Sequence, residues 1–288
     1  MDTINAKIRK VSLDQPFALK GMERIELDHA GMDRVPHRHD HFVIILATEA
    51  HGTHQIDFVD YPLENNTLHL LTPDQVHQLV PEGMPDGYVL TFQPDFLYQY
   101  CMSPEAFLGL DLFFNCNEVP PMHLRSEHLE QVTTLIELIK HEMRSQKSGH
   151  FAVVGALLKA LLLIAKRIKS EAGHASNGQH SRQNEIVFHF RKDLEQHFRT
   201  IHKVNQFADR QHLTSNYLNE VVKKQTGHSA KDMIQQRIIL EAKRLAVYSS
   251  MSMKEIAWHL GFEDIAHFSK FFKRLQGINF KDFRNSNP

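Results

Sequence analysis

The chain is poor in cysteine, has a single tryptophan and carries almost no net charge: 2 Cys, 1 Trp and a formal charge of −1 over 288 residues. Cys101 and Cys116 do not form a C-x-x-C pair, which argues against a disulfide scaffold or a zinc ribbon and for a reducing compartment. No stretch approaches the ~20 uncharged apolar residues of a membrane span. The N-terminus lacks the apolar run of a signal peptide. The expectation is a cytoplasmic chain, without membrane contact, long enough for two modest domains that each bury a core.

The near-zero charge hides an asymmetry. Of the 33 basic and 34 acidic residues, 18 basic and 11 acidic fall in residues 182–288, a net of +7, whereas residues 1–181 have a net of −8. A basic half joined to an acidic half fits a chain of which only one part meets phosphates.

That basic half contains an internal repeat. Val221-Val222-Lys223-Lys224-x-x-Gly227-x-x-x-Lys231-Asp232 aligns with Phe271-Phe272-Lys273-Arg274-x-x-Gly277-x-x-x-Lys281-Asp282 at an offset of 50 residues. Leu218 and Phe268 extend the alignment upstream. Each copy follows a short amphipathic stretch, with Phe207-Ala208 before the first and Ile256-Ala257 before the second. A helix, a tight turn and a second helix with basic residues at its far end is the layout of a helix-turn-helix. Two such units point to double-stranded DNA as the partner.

Helix starts have identifiable chemistry. Ser252-x-x-Glu255 reads as a capping box with Met251 and Ile256 as its hydrophobic staple. Thr214 and Asp264 each stand four residues before the anchoring Leu218 and Phe268, and both are good N-caps. Ser229-x-x-Asp232 opens a connecting helix whose Ile234, Ile238, Ala242 and Leu245 share a face. At about 30 Å it is comparable with the ~34 Å between successive major grooves on one DNA face.

In the first recognition helix the expected base-facing residues are Ser215, Asn216, Asn219 and Glu220, with the cap residue Thr214 also expected to bind DNA. In the second they are Ile265, Ala266, His267, Ser269 and Lys270. Asparagine pairs bidentately with adenine, glutamate accepts from cytosine N4, and the apolar members can touch thymine methyls. Lys223, Lys224, Lys273 and Arg274 lie toward the helix ends, where they are expected to meet phosphates. Leu218, Val222, Phe268 and Phe272 are expected in the core.

The first 100 residues follow another pattern, of short apolar runs punctuated by turn formers. Phe42–Leu46, His54–Phe58, Leu68–Leu71 and Tyr88–Phe92 read as strands of a β-barrel or sandwich. Helical periodicity takes over at Leu129, Val132, Leu135, Ile136 and Ile139, then at Val153, Ala156, Leu157, Ala160, Leu161 and Ile164. These read as two helices joined near Lys147-Ser148-Gly149. The polar stretch from Ser170 to Asn184 reads as a linker.

Residues from about His202 to Arg284 resemble the DNA-binding domain of the AraC/XylS family of bacterial transcription regulators. The resemblance rests on Tyr217-Leu218-Asn219-Glu220-Val221-Val222-Lys223-Lys224-x-x-Gly227, on Arg237-Ile238-x-Leu240-Glu241-Ala242-Lys243-Arg244-Leu245, and on Ile256-Ala257-x-x-x-Gly261-Phe262-Glu263-Asp264-x-x-x-Phe268-Ser269-Lys270-Phe271-Phe272-Lys273. Two positions depart from the pattern: Glu220 stands where many members are basic, and Phe280 replaces the proline of the terminal G-x-x-P. Pro36-His37-x-His39 and Pro73-x-x-x-His77 resemble the N-terminal cupin-like barrel of arabinose-type members.

The resemblance implies an α+β chain of two domains. Residues 1–170 would form a cupin-like barrel (residues 20–100) followed by dimerisation helices (residues 127–169). Residues 171–183 would link it to an all-α double helix-turn-helix domain at 184–288. It implies a regulator of the bacterial nucleoid, more often an activator, acting as a homodimer with a small effector in the barrel and with RNA polymerase as a further partner.

His37, His39 and His77 are the expected effector-facing residues. They also match three ligands of metal-binding cupins, but no glutamate follows His39 at the needed distance, so the expectation is an organic effector, with no metal or other cofactor. No nucleophile is paired with an oriented base, which argues against an enzyme. Two alternatives stand beside this reading: a metal-dependent cupin enzyme with a DNA-binding tail, and a regulator whose barrel only holds a dimer together.

Overall fold

The structure is a computed structural model that describes residues 9–23, 35–73, 75–113, 121–171 and 182–286. The chain divides between Lys10–Ser176 and Asn177–Pro288 into two compact units. Most of the expected linker, residues 172–181, and Cys116 lie outside the described residues.

The first unit is built on two five-stranded sheets. Its strands are β1 (Arg9–Val11), β2 (Phe17–Gly21), β3 (His37–His39), β4 (Phe42–Glu49), β5 (Gly52–Ile56), β6 (Val59–Leu63), β7 (Thr67–Leu71), β8 (Val76–Pro81), β9 (Asp86–Phe92) and β10 (Met122–His123). One sheet has the order β1-β3-β8-β5-β6 and the other β10-β7-β4-β9-β2. All four runs read as strands from the sequence fall on strands, although the second, His54–Phe58, stops at Ile56, and Asp57 turns with a positive φ of 53°.

β4 explains the architecture. Its alternate residues Val43, Ile45 and Ala47 join a core with Ile56, Leu63, Leu71, Leu79 and Val89, drawn from both sheets. Phe42, Ile44 and Leu46 point the other way, into a second core shared with helices. A strand buried on both faces reads as a continuous apolar run, as this one does. Burying a Phe or Ile side chain contributes about 1.5–3 kcal/mol, so β4 anchors both layers.

The helices on that outer face begin with α1 (Pro94–Phe96), which runs into a π turn at Leu97–Cys101, and α2 (Pro104–Leu108). The long pair α3 (Ser126–Ser145) and α4 (His150–Glu171) follows. Gln146, left-handed at φ 45°, and Gly149, at φ 81°, turn the chain between them where the sequence suggested. Gly155 lets α4 touch the π turn, since a Cβ there would lie 2.1 Å from the Tyr100 carbonyl oxygen. The buried face of α4 is Val154, Leu158, Leu161, Leu162, Ala165 and Ile168. The stripe expected from periodicity sits one residue away: Val153 and Ala156 are exposed, and Leu157, Ala160 and Ile164 half-buried. α4 is apolar on most of its circumference, and periodicity alone does not then say which side meets α3 and the π turn.

The second unit is helical among the described residues: α5 (Arg182–His197), α6 (Val204–Arg210), α7 (Ser215–Thr226), α8 (Ala230–Tyr248), α9 (Met253–His259), α10 (Ile265–Gln276) and α11 (Phe280–Ser286). Leu218, Val221, Val222 of α7 and Phe268, Phe271, Phe272 of α10 are buried, matching across the repeat. Phe280, at the departure from the expected proline, starts α11 and fills the core, its ring 5.6 Å from Phe268 and 5.2 Å from Phe272. No helix among the described residues is long and apolar enough to cross a membrane.

Candidate functional site

Each helix-turn-helix is closed by the same local chemistry. α6 ends as the Leu213 N–H donates to the Ala208 carbonyl, and α9 as Phe262 N–H donates to Ala257, both at 2.9 Å. The left-handed residue within each turn is His212 (φ 55°) in the first and Gly261 (φ 75°) in the second. The offset between copies is therefore 49 residues up to this point. It becomes 50 at the caps, Glu263 being the extra residue. Thr214 Oγ1 then accepts from Tyr217 N–H, and Asp264 accepts from Ala266 and His267 N–H. Both recognition helices stop at left-handed glycines, Gly227 and Gly277.

The exposed faces of α7 and α10 correspond position by position. Asn216, Glu220, Lys223 and Lys224 are exposed on α7, and Ala266, His267, Lys270, Lys273 and Arg274 on α10. Ser215, Ile265 and Ser269 are half-buried at the edges, and Thr214 is exposed as a cap. Asn219 is also half-buried, and its Oδ1 accepts the Ala230 N–H at 3.0 Å. Its carboxamide thereby caps α8, a structural role that competes with adenine pairing. Tyr217, 38% exposed, occupies the position of His267 in the second copy and was missed by the sequence reading. The 50-residue offset was the signal for it.

α8 holds the two halves together. Ser229 caps it by accepting from Asp232 N–H, and its 19 residues give an axis of about 28 Å. Glu241, buried on this helix, accepts from Arg237 Nη1 at 3.1 Å and from Arg199 Nη2 at 3.2 Å, with Arg244 at 3.8 Å. Burial alone would raise its carboxyl pKa, but the three guanidinium groups overcome that and hold it at about 2. Arg237 also donates from Nε to both Glu195 oxygens, at 3.1 and 2.9 Å, and lies 3.8 Å over the Phe198 ring. This network fastens α5 to α8.

In the barrel, histidines form a connected chain. His39 Nε2 lies 2.8 Å from His77 Nε2, and His77 Nδ1 lies 3.0 Å from His54 Nε2. His54 Nδ1 lies 2.9 Å from His69 Nδ1, and His69 Nε2 lies 3.1 Å from Thr67 Oγ1. The Thr67 hydroxyl in turn donates to the Glu64 carbonyl at 2.7 Å. β5 and β7 belong to different sheets, so the His54–His69 bond ties one sheet to the other. A carbonyl can only accept, so the hydroxyl proton is committed to it and His69 must donate from Nε2. His69 Nδ1 then accepts from His54, His54 Nε2 from His77, and His77 Nε2 from His39. One threonine sets the tautomer of every ring in the row.

Burial favours the neutral form of His54, His69 and His77. Burial lowers the His54 and His77 pKa values well below the usual histidine range, helped by neighbouring histidines. Burial, then the charge of His123, takes His69 down to about 3. The expected trio is brought together: His37 is the cross-strand partner of His77 in the β3–β8 ladder, their rings 4.2 Å apart. His54, His69 and Thr67 were missed, because inward-facing positions depend on strand register, which a single sequence does not fix.

Comparison with known proteins agrees with this geometry. Residues 19–162 match the AraC-like ligand binding domain family, and residues 207–286 match the helix-turn-helix domain family. The chain belongs to the AraC family. As a member it is a transcription regulator with a DNA-binding helix-turn-helix part and a ligand-binding domain. It is 24% identical over 257 residues to the HTH-type transcriptional activator RhaS of Yersinia pseudotuberculosis, covering 86% of this chain and 88% of that one. Among solved structures it is similar to unsaturated fatty acid-bound wild-type ToxT of Vibrio cholerae (13% identity, TM-score 0.40, covering 85% of this chain and 87% of that one). It is also similar to the C-terminal domain of the two-component response regulator yesN of Fusobacterium nucleatum (27% identity, TM-score 0.33, covering 36% and 99%).

Proposed function

We propose that this AraC-family chain is a cytoplasmic, sequence-specific activator that binds DNA as a homodimer and is controlled by a small effector in the barrel. The observation that carries the reading is the paired exposed face of α7 and α10, capped alike and carried on one connecting helix whose length suits adjacent major grooves. In this reading Asn216, Tyr217 and Glu220 face one groove and Ala266, His267 and Lys270 the next. Thr214, Ser215, Asn219, Ile265 and Ser269 border those faces, and Lys223, Lys224, Lys273 and Arg274 meet phosphates.

Activation, with RNA polymerase as a partner, is supported by the naming of the RhaS relative as an activator. Dimerisation is supported by the stripe Val153, Leu157, Ala160 and Ile164, which α4 leaves partly uncovered. Control by an effector requires that it bind one arrangement of the protein more tightly than another. The deciding experiment is genome-fragment binding with sequencing of the bound DNA. A bipartite motif with half-sites about one helical turn apart supports the reading. Salt-sensitive binding without sequence preference would overturn it.

A further inference from the structure

We propose that His37, His39 and His77 form a binding site for one divalent transition cation of borderline softness, such as zinc, cobalt or nickel. The inference names the chemistry of the effector proposed above and depends on that reading only for its regulatory consequence.

Three features of the barrel wall support it. The first is convergence. His37 and His39 stand two apart on β3, so both point to the same side, and His77 lies directly across from His37 on β8. Their ligand nitrogens all lie within 4.8 Å of one another. Three imidazoles suit zinc, copper and nickel rather than magnesium or calcium, which take oxygen ligands.

The second is orientation. A metal-ligating histidine usually donates its other N–H to a fixed acceptor, which sets tautomer and ring angle. His37 Nδ1 lies 3.0 Å from the Val35 carbonyl oxygen, which places its proton on Nδ1 and makes Nε2 the lone-pair nitrogen. The chain running back through His54 and His69 to Thr67 does the same for His77: its Nδ1–H donates to His54, so its Nε2 lone pair faces His39. Two of the three histidines are thus already in the tautomer that ligation needs.

The third is the close pair itself. His39 Nε2 and His77 Nε2, 2.8 Å apart, share one proton, donated by His39. A cation takes the place of that proton. In the bound form His39 carries this proton on Nδ1 instead of Nε2, so all three imidazoles stay neutral and no proton is lost. The two nitrogens separate to about 3.3 Å, the span set by zinc–nitrogen bonds of about 2.05 Å in tetrahedral geometry. His39 is half-buried while His37 and His77 are buried, so it is the ligand with most room to exchange partners. Water or an anion completes the coordination.

The test uses the full chain stripped of metal with a chelator. Cobalt(II) binding is followed by its visible spectrum and zinc binding by calorimetry, and each variant is checked for folding by circular dichroism and melting. The expected result is one cation per chain with sub-micromolar affinity, and a rise in melting temperature with zinc. His77→Asn and His39→Gln should each weaken binding at least about 30-fold, and Thr67→Val, which keeps all three ligands, by about 10-fold. His39→Gln, at a half-buried position, keeps the test decisive if His77→Asn fails to fold. Equal affinity in parent and His39→Gln would place the metal on surface histidines and overturn the proposal, as would absence of binding below about 100 μM, an affinity too weak to compete for a cation. Operator binding with and without zinc is measured separately. An unchanged operator affinity in a chain that holds zinc at these histidines leaves the site standing and removes zinc as the effector. Failure of zinc to bind beside DNA binding that responds to another ligand removes the site and leaves the regulator reading intact.

Discussion

The side-chain oxygen of Asn219 accepts the backbone N–H of Ala230 at 3.0 Å, tying the first recognition helix to the helix that carries both. In the second copy Ser269 holds the position of Asn219 and Phe280 that of Ala230, and the Phe280 ring packs against Phe268 and Phe272. Asn219→Ala removes one acceptor at a helix start, and about 1 kcal/mol of stability is expected to go with it. Asn216→Ala, on the exposed face, should leave the melting temperature within a degree or so and relax base preference instead. Thermal melts paired with affinities for single-base operator variants check both. Unchanged stability in Asn219→Ala would show that the cap contributes nothing.

Lys273 is exposed near the end of α10. Lys273→Ala is expected to weaken specific and random DNA about equally and to lower the slope of log affinity against log salt by ~1. A salt titration on both DNA types reads this, and a slope that does not move argues against a phosphate contact.

His212 and Gly261 hold the same left-handed place in the two turns, yet they answer substitution in opposite ways. His212→Gly relieves a left-handed non-glycine residue and should raise stability by about 0.5 kcal/mol after the added freedom of the unfolded chain is counted. Gly261→Ala would set a Cβ 2.3 Å from the Arg199 carbonyl oxygen, a backbone atom that cannot swing aside. A loss of about 3 kcal/mol is expected. Denaturant midpoints of the two variants should move in opposite directions.

Acid should unfold the barrel before the DNA-binding unit. Buried His69, facing His54 and Thr67 with the charge of His123 nearby, has its pKa pushed from 6.5 down to about 3. The unfolded chain binds the proton that the folded one refuses, so this stability is complete above pH 6.5 and lost as pH falls toward 3. Glu241, facing Arg237, Arg244, Arg199 and His259, is held down from 4.5 to about 2. Its contribution is complete above pH 4.5 and lost toward pH 2. Trp258, the single tryptophan, lies in the helical unit and is 54% exposed. Its fluorescence follows that unit alone, while circular dichroism follows both. The dichroism change should start at the higher pH, and coincident transitions would refute the assignment.

Much of the molecule could be read from sequence wherever the signal is local. The caps Thr214, Ser229, Ser252 and Asp264 act within three residues of themselves, so each appears as a side chain at a fixed spacing. The repeat placed Leu218 and Phe268 in the core and exposed Lys223 and Lys273 together, because a 3.6-residue period fixes which face is inward once one face is known. On α4 that reasoning failed: Val153 and Val154 are equally apolar, and only α3 and the π turn packed against the helix choose between them.

Periodicity, capping chemistry and charge were enough for the two classes of unit, the capped helix starts, the duplicated recognition helices and the partner they imply. The tertiary structure alone decided that Asn219 turns back to cap α8, and that His39, His77, His54, His69 and Thr67 form one polarised row across two sheets. These five residues span 38 positions, and strand register places each side chain on one face or the other in steps of a single residue. No local pattern along the chain contains that choice; it is made when the ladders pair and the sheets close on a shared interior.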